Sequence, residues 1–389
     1  MGKYLNNKAY QIYKHFDKNE LLDIKNRCRF LRRLNEKEAY RLINTYATVV
    51  DRIIRKQSFD LLLGQIMDNY CMDVIVRLCK RRGIKIVNPI VTFINGYSRF
   101  TIRGEWIPLC RKVSNDEIEN VYNYLMDKKY KGRLGLSGRT SELKRFKIFF
   151  RRVLIERAYY PIKKLIENDW YNYHYNTIVY DSLNYSRYVG KKVSMYFDSI
   201  NNIPFSKKSV FVPLHFTPEA TTDYFGETWK FGHYEELMID FINRSDEDVI
   251  FLVKEHPIMM GFRDREFYRA LKMHKNVYLI SGNEDSNEIL NRVETVLTCT
   301  GSVGIEALLR GKRVLTMTEN FYSKLHPNIH HVSCIDSKSL DIKLCNYDPK
   351  AFLKAFLSGL IPVHLYSQTE LSKTDTIELA NNIRMYFEL

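Results

Sequence analysis

Between residues 209 and 317 five short apolar runs alternate with four segments of helical periodicity, and few folds accept that pattern. The runs are SVFVPL (209–214), VIFLVK (249–254), VYLI (277–280), TVLTC (295–299) and RVLTM (313–317). Helical segments near 234–242, 265–273, 286–292 and 303–309 separate them. None of the runs alternates apolar with polar residues, so each strand must be covered on both faces. Strands and helices in that order specify a parallel, doubly wound α/β sheet. Such sheets bind ligands in the crevice beyond the carboxyl ends of their strands. Residues 201–389 are therefore expected to form one Rossmann-like domain, closed by helices that include 374–386.

The first third carries a thinner version of the same signal. Asn35, with Glu38 three residues on, reads as a capping box. Ala39, Leu42, Ile43, Tyr46, Val49, Val50, Ile53 and Ile54 then form one apolar face at helical spacing. Residues 59–63 read as a short strand, and 72–80 as a helix stopped by Gly83. Residues 84–91 read as a second strand, interrupted by Pro89. A nucleotide-binding domain ordinarily opens with a strand and a glycine loop, where this chain has polar, helix-like sequence. Residues 1–113 are thus expected to form a Rossmann-like, acceptor-side domain that is incomplete.

Residues 114–200 break the pattern and read as a helical, basic segment between the two domains. Its centre, KRFKIFFRRVLIERAYYPIKK (144–164), holds eight Lys or Arg and one Glu. Two readings stand. Phe146, Phe149 and Phe150 can dip into an anionic lipid surface. Alternatively, the helix rests its apolar side on the core and its charges in water.

The formal net charge of +15 favours an anionic partner: nucleic acid, lipid headgroups or a phosphorylated substrate. No nucleic-acid-binding motif is present, which argues against the first. The seven cysteines are scattered without a CxxC pair, so neither a zinc knuckle nor a disulfide framework is expected. No apolar run reaches the length of a membrane span, and the first ten residues lack a signal-peptide core. A cytoplasmic protein is expected, peripheral on the inner face of the plasma membrane if the lipid reading of 144–164 holds.

Three loops fall at carboxyl ends of predicted strands. The first is TCTGSVGIEALLRGKR (298–313). Thr300, Gly301 and Ser302 turn from strand to helix, where free backbone N–H groups and the helix dipole attract an anion. Ser302 can cap that helix or donate to a phosphate, and Glu306 can accept from ribose hydroxyls. The plain alternative is a capped helix packed by small residues. The second loop is KEHP (254–257). His256 can donate to a phosphate oxygen and stabilise a departing nucleotide, Lys254 adds positive charge, and Pro257 fixes the turn. The third is His215, Phe216, Thr217, Pro218, Glu219, Ala220 and Thr221, in which Glu219 and Thr221 can meet sugar hydroxyls or simply form a loop.

Together, VPLHFTPEATTDYFG, VKEHPIMMGFR and TCTGSVGIEALLRGKRV resemble the capsule polysaccharide biosynthesis family, which includes bacterial β-Kdo transferases. RGIKIVNPIVTFINGYSRFTIRGEW (82–106) resembles the N-terminal half of such proteins. More distantly, KEHP is similar to the His-Pro motif of bacterial sialyltransferases. The resemblance implies a GT-B fold, with two Rossmann-like domains flanking a cleft and the nucleotide donor on the C-terminal one. It implies that His256 contacts the donor phosphate, that Ser302 lies at a second phosphate turn, and that Glu306 serves the ribose or nucleotide. It implies a metal-independent glycosyltransferase with no bound cofactor. A CMP-linked acidic sugar of the Kdo kind, or a UDP-sugar, is the co-substrate, and a capsular or lipid-linked glycan the acceptor. The sequence holds no His/Cys cluster for a metal.

An inverting enzyme needs a carboxylate to take the acceptor proton. Asp68, just after strand 59–63, is the first candidate, with Asp73 and Glu105 behind it. Two rival readings remain. Teichoic acid polymerases, which transfer polyol phosphate from a CDP carrier, have a similar His-Pro element and Ser-containing turn. A non-catalytic capsule-assembly protein with a decayed GT-B fold would account for the missing first strand.

Overall fold

A computed structural model of the chain describes residues 14–127, 150–172, 193–363 and 372–387, with positions 147, 176 and 365 besides. The C-terminal sheet has six parallel strands: β4 (Ser209–Pro213), β5 (Ile250–Lys254), β6 (Val277–Ile280), β7 (Thr295–Thr298), β8 (Arg313–Thr316) and β9 (Ile329–His331). Their order is β6-β5-β4-β7-β8-β9. The chain therefore winds outward from β4 through β6, returns to pair β7 with the other side of β4, and winds outward again. This is the doubly wound order, and its switch point lies between β4 and β7.

Both faces are covered, as the unalternating runs require. Phe211, Leu252, Ile280, Val296 and Val314 point to one face and pack with helices Ser286–Arg292, Val303–Leu309 and Pro349–Ser358. Helix Asn115–Met126 joins the same layer through Ile118, Val121 and Leu125. Val210, Val212, Phe251, Val253, Leu297 and Leu315 point to the other face, against helices Tyr234–Asn243 and Arg265–Lys272.

The N-terminal unit has three strands among the described residues: β1 (Leu61–Leu63), β2 (Lys85–Val91) and β3 (Ser98–Thr101). β1 and β2 are parallel, joined by helix Tyr70–Arg81, and β3 is antiparallel to β2. Helices Lys18–Arg27 and Glu36–Lys56 pack on Tyr70–Arg81 around Leu21, Ile24, Leu42, Ile43 and Val74. Asn35 caps the long helix by accepting from the Glu38 N–H at 2.9 Å, as its spacing foretold. Half of the expected face is buried, at Ala39, Leu42, Ile43 and Val50, and Ile53 lies half exposed. The C-terminal helix Lys373–Phe387 crosses back to this unit. Its Leu379 and Ile383 pack with Val87 and Phe100 of the small sheet.

Among the described residues the chain thus has the two-unit α/β architecture expected of a GT-B fold, with a six-stranded Rossmann-like sheet in the second unit and three strands in the first. β3, β9 and helix Pro349–Ser358 are additions to the elements read from sequence. No helix among the described residues is long and apolar enough to cross a membrane.

Candidate functional site

The three loops singled out above meet at the carboxyl edge of the large sheet, and His215 joins them. Its Nε2 accepts from the backbone N–H of Cys299 at 3.3 Å and of Thr300 at 3.4 Å. That bonds the loop after β4 to the turn after β7, across the switch point. Accepting at Nε2 requires a neutral ring. Burial, with His256 and Arg263 nearby, holds its pKa down to about 3. Sequence reading placed His215 in the loop but gave it no role; its partners lie about eighty residues away.

The KEHP turn is locked from beneath by residues that the sequence did not single out. Glu255, fully buried, accepts from Arg263 Nε at 3.0 and 2.9 Å, from the Tyr268 hydroxyl at 2.6 Å and from the His256 N–H at 2.6 Å. Arg263 also pairs with Glu235 at 3.0 Å and donates to the His215 carbonyl. This buried guanidinium therefore ties the first and second loops together. His256 lies beside the Phe216 ring, 5.8 Å between centroids. Burial, then Arg263 and Lys254, lower its pKa to about 4, so near neutral pH the ring is uncharged. The Lys254 ammonium donates to the Gly282 carbonyl at 3.2 Å, and burial lowers its pKa to about 8. Gly282 packs so closely on Pro257 that a Cβ there would lie 2.9 Å from the proline Cα.

In the turn after β7, the Gly301 N–H donates to Thr298 Oγ1 at 3.3 Å, and the Thr300 hydroxyl to the Thr221 carbonyl at 3.3 Å. With His215 on the Thr300 N–H, the first two donors of the turn are already engaged. Ser302 does not cap its helix. Its backbone sits in the right-handed helical region (φ −61°, ψ −20°), whereas a capping side chain needs an extended backbone. Instead its hydroxyl lies 3.5 Å from Glu306 Oε1. Burial raises the Glu306 pKa, partly offset by Arg310 and Ser302. Tyr322 holds the turn from behind, donating to the Gly301 carbonyl at 2.6 Å.

The third loop reaches the N-terminal unit. Glu219 accepts from the Thr221 hydroxyl at 2.6 Å. Its carboxyl is raised by burial, and Asp68 and Asp223 add to that effect. Arg29 stands between the two units, 2.7 Å from Asp68 and 2.7 Å from Asp223. Asp68 keeps a raised pKa despite this partner, because burial outweighs it and Asp223 adds repulsion. Asp68 and Glu219 are thus two carboxyls of high proton affinity on opposite sides of the junction. Asp73 and Glu105 are committed elsewhere. Asp73 is buried and bonded to Arg77 at 2.7 Å, and Glu105 closes its own loop by accepting from Thr101 Oγ1 and the Ile102 N–H.

Beside this junction a cleft of about 910 Å³ separates the units, with Arg77, Arg103 and Trp106 on one wall and Phe225, Asn320 and Phe321 on the other. Gly104 (φ +126°) lets the first wall approach, since a Cβ there would meet Phe225 at 2.6 Å. A smaller cavity of about 400 Å³ lies between Arg29, Arg32 and Arg263. His256, Ser302 and Glu306 line neither of these two. The sequence Asp246-Glu247-Asp248, which has the spacing of a metal-binding D-x-D, sits at the opposite, amino edge of the sheet. There Asp246 accepts from the Ser337 N–H and Asp248 pairs with Lys208.

Residues 135–325 match the family model described as "Capsule polysaccharide biosynthesis protein". Protein FixF of Sinorhizobium fredii is 32% identical over 91 residues, 23% of this chain and 21% of that protein. The lipopolysaccharide-processing protein LpsZ of Rhizobium meliloti is 27% identical over 86 residues, 22% of this chain and 20% of that protein. The chain therefore spans only about a fifth of the length of these relatives in alignment. Among solved structures, the β-Kdo 2,7 transferase KpsC of Thermosulfurimonas dismutans aligns with a TM-score of 0.36 and 14% identity, over 85% of this chain and 88% of that one. The family match begins within the middle segment and runs through all three loops at the sheet edge, so over that span the chain is similar to the capsule polysaccharide biosynthesis family.

Proposed function

We propose that this protein transfers a sugar from a nucleotide donor to a growing surface glycan. The donor lies at the carboxyl edge of the large sheet and the acceptor enters from the cleft between the units. The observation that carries the reading is the meeting of three loops at the β4–β7 switch point, joined by His215 and Arg263. That crevice is where doubly wound sheets bind nucleotides. The neutral His256 donates to a donor phosphate oxygen, and Lys254 biases the local field toward the leaving nucleotide.

In the transfer step an acceptor hydroxyl oxygen bonds to the anomeric carbon as the bond from that carbon to the phosphate oxygen breaks. The nucleotide departs with the electron pair, and the acceptor proton passes to a carboxylate. Asp68 suits the last role, since its raised pKa brings it closer to the operating range of a general base. Glu219, across the junction, suits a hydroxyl of either sugar. The basic and neutral donors offset the leaving-group charge, so the proposed reaction needs no metal. The donor is CMP-linked or UDP-linked, and the protein works in the cytoplasm where such donors are supplied.

A thermal-shift panel of CMP, CDP and UDP tests the donor site. At least one nucleotide, at about a hundredfold excess over its Kd, should raise Tm by on the order of 5 °C. The rise should persist in EDTA and shrink in His256→Ala and Ser302→Ala. If none of the three moves Tm, the donor-site reading fails. If CDP alone binds and the CDP-polyol but no sugar nucleotide is turned over, the chemistry is phosphotransfer instead.

A further inference from the structure

The helical stretch from Phe150 to Glu167 is built the wrong way round for a soluble core. Ile155, Tyr159, Ile162 and Ile166 follow one another at spacings of four, three and four, with Leu154 and Leu165 widening the stripe, so one face is continuously apolar. That face looks outward. Exposure runs from 47% at Phe150 to 79% at Ile166, and Trp170, just past the helix end, is exposed as well. Within Arg157–Glu167 no described residue is buried. An eleven-residue helix is marginal in water on its own, so a surface that covers this stripe would supply what the fold does not. Of the two readings of this segment, the one that rests its apolar side on the core is not what these residues do. Lys144, Phe146 and Phe149, which the sequence also placed here, lie outside the described residues.

Charge tells which surface fits. From 150 to 167 there are five basic residues and two acidic ones, and one of the two, Glu156, is buried against Arg151. Arg157 and Lys163 border the apolar stripe on either side. An apolar stripe with a basic border suits the interface of an anionic bilayer, where acyl chains take the stripe and headgroups the border. The helix is also held in place for such a role. Asn168, in the left-handed region (φ 49°), ends it, and Tyr171 packs onto the hydrophobic cluster of the N-terminal unit.

We propose that residues 150–170 form a docking surface for anionic phospholipid, lying flat in the interface without crossing it. The proposal stands apart from the chemistry at the sheet edge, because no sugar nucleotide enters its test. The full chain is floated with vesicles of phosphatidylcholine alone or mixed with phosphatidylglycerol. It should float with the mixed vesicles and not the neutral ones, and added salt should weaken the association. Ile162→Ser with Ile166→Ser, and separately Arg157→Glu with Lys163→Glu, should each lower partitioning at least about tenfold. All four positions lie outside the buried core, so far-UV circular dichroism and Tm should match wild type. Equal binding to neutral vesicles, no flotation, or variants that float like wild type would overturn the proposal. So would a dimer in solution that Ile162→Ser with Ile166→Ser dissolves, since a second copy of the chain would then be the occupant.

Discussion

His215 occupies a position where protonation and structure conflict. Its Nε2 accepts two backbone N–H bonds, so a proton there would turn an acceptor into a donor facing donors. The folded pKa of about 3 lies well below the ordinary 6.5. As pH falls, the unfolded chain takes up this proton first. The stabilising contribution is therefore complete above pH 6.5 and is lost as pH falls toward 3. His256, lowered to about 4, works in the same direction, whereas the raised carboxyls of Asp68, Glu219 and Glu306 lose their contributions as pH rises. His215→Gln keeps an acceptor and removes the titration. Urea midpoints measured from pH 7 down to 4 should fall less steeply in this variant than in wild type, the carboxyl contributions being common to both. Parallel curves would mean that the ring is not held neutral by these bonds. At this scale the sequence was half legible. A His after a core strand is visible in both KEHP and the loop after β4. Which His bonds to the turn at 299–300 depends on contacts that the one-dimensional pattern does not carry. The same holds for Glu255 and Arg263, whose partners come from loops up to about fifty residues away.

The turn after β7 and its helix depend on a close approach that only glycine allows. A Cβ on Gly304 would stand 2.6 Å from the Tyr322 hydroxyl and 2.9 Å from two ring carbons. Tyr322 has little room to give, being fully buried with its hydroxyl bonded to the Gly301 carbonyl. Gly304→Ala should cost about 1–3 kcal/mol through overpacking, read from the urea midpoint at constant m. A loss below about 0.5 kcal/mol would mean that the ring shifts freely. Gly304 of this turn thus makes room for an aromatic ring. The strands around it were legible nearly to the residue, because strands buried on both faces must be short, apolar and unalternating. β9 was not, since Ile329, His330 and His331 at the sheet edge carry no such run. Helix Pro349–Ser358 does carry a start signal in sequence, since Asp348 accepts from the Lys350 N–H as a cap, ahead of Pro349 at the first position. β3 was hidden for a different reason. It pairs antiparallel to β2 after a tight turn, in a region where the strand–helix rhythm had set an expectation of parallel crossovers.

At the scale of the molecule, the two units are held together by arginines from the N-terminal side reaching into one loop of the C-terminal side. Arg32 pairs with Asp223 at 3.1 Å and donates to the Gly232 carbonyl at 3.0 Å. Arg27, with no exposed surface, carries more of the load. Its guanidinium donates to the carbonyls of Asp223 at 3.0 Å, Gly226 at 3.1 Å and Glu227 at 3.0 Å, and its Nε to Asp23 at 2.9 Å. The carbonyls are main-chain acceptors in a loop that forms no regular ladder there, so the side chain supplies the donors that a sheet would otherwise give. Arg27→Met fills a similar volume and removes every donor. Buried carbonyls then lose their partners, and Asp23 loses one of its cations though it keeps Arg77. Each buried group left unpaired costs about 1–3 kcal/mol. Water can reach some of them once the junction loosens, so the net loss should be about 2–5 kcal/mol in chemical denaturation. The loop begins two residues after Thr221, whose carbonyl takes the Thr300 hydroxyl. Loosening it should therefore also weaken whatever nucleotide shift the wild type shows, although Arg27 stands outside the crevice. A variant with wild-type stability and wild-type nucleotide response would place the hold between the units elsewhere, in the Arg29 bridge from Asp68 to Asp223 or in the return of the C-terminal helix onto the small sheet.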